Sequence, residues 1–153
     1  KTGSEAKEED KKSFHEIIDN VHHNAPGSKI NGVQLQEELD GLEIALGMKR
    51  DPQFGPMIMV GLGGIYIEVL NDVSFGIAPI SEEEAQKMID ELESHDIFEG
   101  VSGEEHDLES VKDAIIRLGD MSLEHEEISE IDLNPAILKN GKLYVTDIVI
   151  DTS

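Results

Sequence analysis

The sequence predicts one α+β domain, built mainly of antiparallel sheet with flanking helices. Apolar residues recur at helical spacing in three segments, and shorter segments between them are rich in apolar and β-branched residues bounded by Gly, Pro or Asp-Gly. Near the end, Asn140-Gly141 separates two apolar segments and is the strongest local signal for a β-hairpin. No internal repeat divides the chain, so we expect one domain over residues 13–153 after a charged, frayed start at residues 1–12.

The composition fits an acidic globular domain. The 153 residues include 34 Asp and Glu against 12 Lys and Arg, which gives a formal net charge of −22. Such a surplus repels phosphate backbones and anionic lipid, so neither nucleic acid nor a membrane is an expected partner. Hydrophobic residues, at 38%, suffice for a core, and the lack of Cys excludes disulfides within the chain and fits a cytoplasmic protein.

The elements follow in order from the apolar pattern. A helix is expected to form from about Ser13, because apolar residues from Phe14 to Val21 share one face. After a break at residues 24–28, strands are expected at residues 32–38, 43–50, 57–60, 65–70 and around Phe75.

Two further helices and a hairpin complete the predicted fold. Ser81 followed by Glu84 is a capping box and opens the first helix. The second is expected over residues 107–118, and the closing strands over residues 131–139 and 142–150.

The two-residue turn fixes the register of the closing hairpin. It sets Asn134 opposite Asp147, and alternation along the strand puts Asp132 on the same face as Asn134. Hard oxygen donors without His or Cys suit Mg²⁺ that keeps several waters. The alternative, two solvated carboxylates beside an Asn that starts the Asn134-Pro135 turn, stays open on the spacing alone.

A glycine-rich stretch follows the strand at residues 57–60. Gly61, Gly63 and Gly64 do not form a dinucleotide fingerprint, because Tyr66 stands at the third glycine position and a strand rather than a helix follows. We interpret these glycines as permitting a tight turn or a close approach of backbones.

Several stretches of the chain together carry a family likeness. They are Lys-Arg-Asp-Pro-Gln-Phe-Gly-Pro at residues 49–56, Gly-Leu-Gly-Gly-Ile-Tyr-Ile-Glu-Val-Leu at 61–70, Asp-Val-Ser-Phe at 72–75, Ala-Pro at 78–79, Gly-Val-Ser-Gly-Glu at 100–104 and Glu-Ile-Asp-Leu-Asn-Pro at 130–135. In this order the chain resembles, over roughly residues 13–150, the ATP-grasp subunit of ADP-forming acetyl-CoA synthetases. The resemblance implies the C-terminal lobe of an ATP-grasp fold. It also implies a reaction that interconverts acyl-CoA, ADP and phosphate with acid, CoA and ATP through a phosphohistidine.

The resemblance also implies a metal site. Asn134 and Asp147 match the two magnesium ligands of the family, and Asp132 matches the acidic residue two positions before the Asn. This agrees with the hairpin register, so we expect Mg²⁺ as a cofactor and ATP or ADP as the nucleotide substrate.

A nucleotide-binding set follows from the same resemblance. It comprises a hinge strand, a ribose-facing carboxylate and a basic pair: Gln36, Glu37, Glu38 and Leu39; Glu43; Lys49 and Arg50. The hinge could also be an ordinary hairpin turned at Asp40-Gly41, and the basic pair could simply offset Asp51.

The chain departs from the family pattern in two ways. Gly76 and Ser102 stand where the family commonly carries Arg, so phosphate binding is expected to be weaker. The sequence begins near the last helix before the hinge, and we expect the first ATP-grasp lobe, a CoA-binding subunit or domain and the phosphohistidine to lie outside it. The isolated chain is then expected to be inactive.

The six His residues are expected on helix faces or surfaces. Their spacing matches no metal-ligand motif, which leaves no zinc site to expect: His15, His22, His23, His95, His106 and His125. A non-catalytic regulatory or interaction module derived from the family is the alternative function, and an acidic protein-binding domain is a third.

Overall fold

The structure is a computed structural model and describes residues 3–64, 72–99 and 107–152. The chain divides into two compact units, Lys1–Glu38 and Leu39–Ser153. The single domain expected over residues 13–153 stays a prediction. Among the described residues, no helix combines the length and the apolar character needed to cross a membrane.

The first unit contains helix α1, Gly3–Asn24. It begins at Gly3 and not near Ser13, because the Glu-, Lys- and Ala-rich segment before Ser13 consists of good helix formers. The strand predicted at residues 32–38 is wrong. This segment is irregular, its side chains are exposed or half-buried, and no strand in the described part of the chain pairs with it.

The second unit contains an antiparallel sheet, as predicted. The strands that the structure describes are β1 (Leu42–Asp51), β2 (Gly55–Leu62), β3 (Val73–Ile77), β4 (Ile128–Lys139), β5 (Lys142–Val145) and β6 (Val149–Thr152). Their order is β3-β2-β1-β4-β5, and β6 also pairs with β4. The strand predicted at residues 65–70 lies outside the described residues.

Helices cover one face of this sheet. They are α2 (Glu82–Asp90), α3 (His95–Glu99) and α4 (Glu109–Glu124). The capping box at Ser81 is present, with the Ser81 amide donating to Glu84 Oε2 over 2.9 Å. The helix expected at residues 107–118 is confirmed and extends to Glu124, whereas the five-residue α3 was not predicted.

Alternation along the strands separates a core face from an open face. The core face packs on the helices and is formed by buried side chains of the strands and helices: Ile44, Leu46, Met48, Ile58, Val60, Leu62, Ala85, Met88, Ile89, Phe98, Val111, Ile115, Leu118, Ile131 and Leu138. On the opposite side, which we call the open face, the register groups Gly47 with Met59 and Asp132, and Lys49 with Met57.

Asp72 joins the start of β3 to the turn between α2 and α3. Its two carboxylate oxygens accept the amide N–H groups of Glu93, at 2.9 Å, and Ser94, at 2.8 Å. Burial raises the pKa of Asp72, but the Ser94 side chain and these two amides outweigh burial and hold the pKa below its usual value. The ionised carboxylate therefore stabilises the folded state.

We expect Asp72→Asn to be less stable than the native chain at neutral pH. Because the folded pKa is lowered, the contribution of the carboxylate is complete above the unfolded value of 3.8 and is lost as pH falls through the folded pKa. Urea unfolding measured from neutral to acid pH should show the stability difference shrinking as pH falls. Asp120→Asn, an exposed change on α4, controls for removal of one charge, and a difference for Asp72→Asn that does not depend on pH would contradict this role.

Candidate metal and nucleotide site

Strand β4 keeps the same pairing register with β5 and with β6. Lys139 pairs with Lys142 and Ala136 with Val145 in the first ladder, while Asp132 pairs with Val149 in the second. The predicted hairpin register is therefore confirmed. Between these two ladders β4 continues, and Leu133 pairs with Leu46 of β1, but residues 146–148 opposite it belong to no strand. At the centre of this interval the register sets Asn134 opposite Asp147.

The chemistry of Pro135 explains why the ladder opens here. Proline has no N–H to donate to a neighbouring strand. Its carbonyl accepts both the Thr146 amide, at 3.3 Å, and the Thr146 hydroxyl, at 2.7 Å. Asp147 therefore lies in a three-residue segment held at one end by Thr146 and at the other by the pairing of Val149.

A glycine turn meets this interval from the end of β2. The Gly64 amide donates to Asn134 Oδ1 over 3.3 Å, and the Gly63 amide donates to the Glu43 carbonyl over 2.8 Å. Gly64 has φ +60°, and a Cβ there would collide with the Glu43 carboxylate. The expected close approach of backbones at these glycines is confirmed, and it brings Glu43 next to the turn that contacts Asn134.

The donor set fits Mg²⁺. Asn134 is half-buried and supplies an amide oxygen, while Asp132 and Asp147 supply exposed carboxylates. Within the described residues, His, Asp and Glu form no group of three or more that could hold a metal by themselves. A cation at this site would therefore need the Asn134 oxygen together with the carboxylates and with water or phosphate oxygens.

A cavity of about 310 Å³ lies on the open face next to Asp132. Met57, Met59 and Phe75 supply apolar lining, and Lys49 supplies a positive charge. The Lys49 ammonium lies 3.2 Å from the Glu130 carboxylate, but both groups are largely exposed, so this ion pair holds the lysine only weakly.

Arg50 has a different partner set from its neighbour Lys49. Its guanidinium donates to the carbonyls of Ser122 at 2.7 Å, His125 at 3.1 Å and Ile128 at 3.1 Å. These carbonyls belong to the C-terminal end of α4 and the connection into β4, where backbone acceptors lack helical partners. Arg50 thus ties α4 to the sheet.

Asp51 is not the acidic partner of Lys49 and Arg50. Asp51 Oδ1 accepts the amides of Gln53 at 2.7 Å and Phe54 at 2.9 Å, and so shapes the turn between β1 and β2. These two bonds lower the pKa of Asp51. The opposite charge that lies beside Lys49 belongs to Glu130 instead.

The hinge residues fall on both sides of the unit boundary. Gln36, Glu37 and Glu38 are exposed and irregular in the first unit, whereas Leu39 opens the second unit and Glu43 is exposed on β1. Within the second unit Glu43 contacts the glycine turn, and Gly64 of that turn contacts Asn134.

Gly76 faces the helices and not the open face. A Cβ at this position would lie 2.6 Å from Met88 Sδ and 2.7 Å from Ile80 Cδ1. A side chain at this position would start toward α2, and Met88 occupies the space that an Arg stem would need. Ser102, the other departure from the family pattern, lies outside the described residues.

Comparison with known proteins gives the family. A family model described as an ATP-grasp domain matches residues 2–151. The chain belongs to the ATP-grasp family. Its relatives include ADP-forming acetate–CoA ligases, so the predicted resemblance and the predicted fold class are confirmed.

Two curated relatives illustrate the likeness. The chain is 49% identical to acetate–CoA ligase [ADP-forming] I of Archaeoglobus fulgidus, over 89% of this chain and 20% of that protein. It is 44% identical to the beta subunit of acetate–CoA ligase [ADP-forming] I of Pyrococcus furiosus, over 92% of this chain and 61% of that subunit. The chain therefore spans between a fifth and about three fifths of these relatives.

Solved structures agree with this assignment. Acetyl-coenzyme A synthetase 1 of Candidatus Korarchaeum cryptofilum, in complex with coenzyme A and Ca-AMPCP, matches with a TM-score of 0.77 and 44% identity over 93% of this chain and 63% of that one. A second complex of the same protein contains coenzyme A and Mg-AMPPCP, with its phosphohistidine segment pointing towards the nucleotide-binding site. It matches with a TM-score of 0.73 and 44% identity over 76% of this chain and 55% of that one.

The division of roles between Lys49 and Arg50 gives a test. Arg50→Gln should lower the free energy of unfolding by about 1–3 kcal/mol, because it leaves carbonyls at the end of α4 without their charged donor. Lys49→Gln, the matched neutralisation on the exposed neighbour, should stay within about 0.5 kcal/mol of the native chain. Urea unfolding of both variants measures the difference, and equal losses would show that Arg50 does not hold α4 to the sheet.

Proposed function

We propose that this chain supplies the nucleotide- and magnesium-binding lobe of an ADP-forming acyl-CoA synthetase. The complete enzyme would interconvert acyl-CoA, ADP and phosphate with acid, CoA and ATP. The observation that carries this proposal is the interrupted ladder of β4, which sets Asn134 opposite Asp147 beside the glycine turn. The similarity to ADP-forming acetate–CoA ligases supports it.

In this proposal the interrupted ladder holds Mg²⁺. Asn134 contributes its amide oxygen and Asp147 a carboxylate, with Asp132 assisting from the next outward-facing position of β4. A bound Mg²⁺ would offset the negative charge of the nucleotide phosphates. The negative charge of this chain otherwise opposes phosphate binding, which is why a cation and a lysine are needed beside the phosphates.

Further residues would bind the nucleoside and the phosphates. Glu43, whose carboxylate packs against Gly64, would accept hydrogen bonds from the ribose, and the segment of Gln36, Glu37, Glu38 and Leu39 would contact the adenine. Of the basic pair, we assign the phosphates to Lys49, since three backbone carbonyls already occupy the Arg50 guanidinium.

The reacting histidine would come from outside this chain. The cavity beside Asp132 and Lys49, at about 310 Å³, has room for one histidine side chain of a partner. The phosphohistidine segment of the Korarchaeum enzyme, which points towards its nucleotide-binding site, supports this. We therefore propose two partners, a first ATP-grasp lobe and a CoA-binding subunit or domain, and the use of ATP favours a cytoplasmic location.

A non-catalytic regulatory or interaction module is the second candidate function. Gly76 and Ser102 favour it, since both stand where the family commonly carries Arg. At Gly76 the neighbouring Met88 side chain fills the position that a larger residue would take. Such a module would keep the fold without turnover.

Asp147→Ala separates ligand binding from folding. We expect this variant to lose Mg²⁺-dependent binding of ADP by more than about 10-fold, because it removes a carboxylate donor. Asp147 is exposed, so the free energy of unfolding should change by no more than about 0.5 kcal/mol. Calorimetric titration of ADP with and without Mg²⁺ measures the binding, and Asp120→Ala on α4 is the matched control. Unchanged binding in Asp147→Ala would remove the metal assignment.

Reconstitution distinguishes the enzyme from the regulatory module. Mixed with the first lobe and the CoA-binding subunit of a relative, this chain should support ATP formation from acetyl-CoA, ADP and phosphate. Nucleotide binding without turnover in the mixture would favour the second candidate function. A chain treated in the same way but carrying Asp147→Ala controls for turnover contributed by the partners.

A further inference from the structure

An Asn side chain presents two ends of nearly equal size, and only one of them can hold a cation. The oxygen has two acceptor lone pairs, whereas the NH₂ group carries two donors and repels positive charge. A carboxylate has no such ambiguity, because both of its ends are oxygen. A metal site that uses Asn134 therefore needs a second group that fixes which end faces the cation.

The Gly64 amide lies where it can fix the orientation of the Asn134 carboxamide. It lies 3.3 Å from Asn134 Oδ1, and because a backbone N–H only donates, it selects the oxygen and turns the NH₂ group away. The second lone pair of Oδ1 stays available for a cation. Partners of this kind commonly orient metal ligands in proteins.

The turn that carries this amide is held tightly against β1. Gly63 donates to the Glu43 carbonyl at 2.8 Å, and a Cβ on Gly63 would lie 2.9 Å from the Ile44 carbonyl carbon and 3.0 Å from its oxygen. These neighbours are backbone atoms and cannot rotate away. Even one methyl group on Gly63 must therefore displace the turn that carries the Gly64 amide.

We propose that Gly64 is a positioning residue that fixes the carboxamide of Asn134 with its oxygen toward the cation. This inference rests on the proposed magnesium site and adds the group that orients its amide ligand. The same turn packs against the Glu43 carboxylate, so the residue proposed to contact the ribose and the residue proposed to hold the cation share one backbone support.

A double-mutant cycle tests the orientation. Mn²⁺ alone is titrated by calorimetry, at high salt, into the native chain, Gly63→Ala, Asn134→Asp and the double variant, and only the binding that Asp147→Ala abolishes is counted. Gly63→Ala should weaken this binding about 10-fold when residue 134 is Asn. In the Asn134→Asp background the same change should weaken it less than about 3-fold, because either carboxylate oxygen can face the cation. Gly32→Ala, where a Cβ meets no atom within 4 Å, is the control for a Gly to Ala change.

The outcomes separate this inference from the proposed function. Equal losses in the two backgrounds, or no loss with Asn134, would overturn the role of Gly64 and leave the metal site standing. A native chain without any Asp147-dependent Mn²⁺ binding would overturn both.

A spectroscopic measurement gives a second test should Gly63→Ala fail to fold. In ¹⁵N spectra the Gly64 amide should move to lower proton shift and exchange faster in Asn134→Ala than in the native chain, because it loses its acceptor. The native Gly64 amide should keep its slow exchange when Mg²⁺ is added. A Gly64 amide that does not respond to Asn134→Ala would show that the orienting bond is not formed and would overturn the proposal.

Discussion

The site depends on one constraint, the single register that β4 keeps with both β5 and β6. Ladder pairing holds the strands on either side of Asn134 and Asp147, and Pro135 opens the ladder between them. If the ladder were continuous, the distance between neighbouring strands alone would set how far the Asn134 and Asp147 side chains lie apart. The gap leaves Asp147 and Ile148 outside the ladder, while the bonds of Thr146 to Pro135 and the pairing of Val149 keep the segment in position.

The two faces of the sheet divide structure from chemistry. Arg50 and the buried side chains of β1 and β2 hold the helices on the core face. The residues of the core face therefore stabilise the fold. The open face carries Lys49, Asp132 and the cavity, with apolar side chains such as Phe75 left 55% exposed. An exposed apolar surface beside a polar site agrees with the proposal that this chain is one lobe of a larger enzyme.

Local patterns made much of this predictable. The turn at Asn140-Gly141 fixed the hairpin register, and the capping box placed the start of α2, because each depends on neighbours in sequence. The role of Arg50 was not predictable, since its three acceptors lie more than 70 positions away in the chain. The contact between Gly64 and Asn134 is equally remote, although the glycines indicated a close approach. Pro135 was a signal for the open ladder, because proline cannot donate to a strand pair. The strand predicted at residues 32–38 failed because apolar content alone does not supply a pairing partner.

Paramagnetic broadening of backbone amides by Mn²⁺ with ADP tests the central claim most directly. Broadening falls off steeply with distance from the ion, so it locates the cation without assuming its ligands. If the open ladder holds the metal nucleotide, the amides of Gly64, Asn134 and Asp147 should broaden first, while those of α4 on the core face stay sharp. Broadening concentrated elsewhere, for example at the acidic start of α4 around Glu109 and Asp113, with the hairpin amides unchanged, would contradict the account.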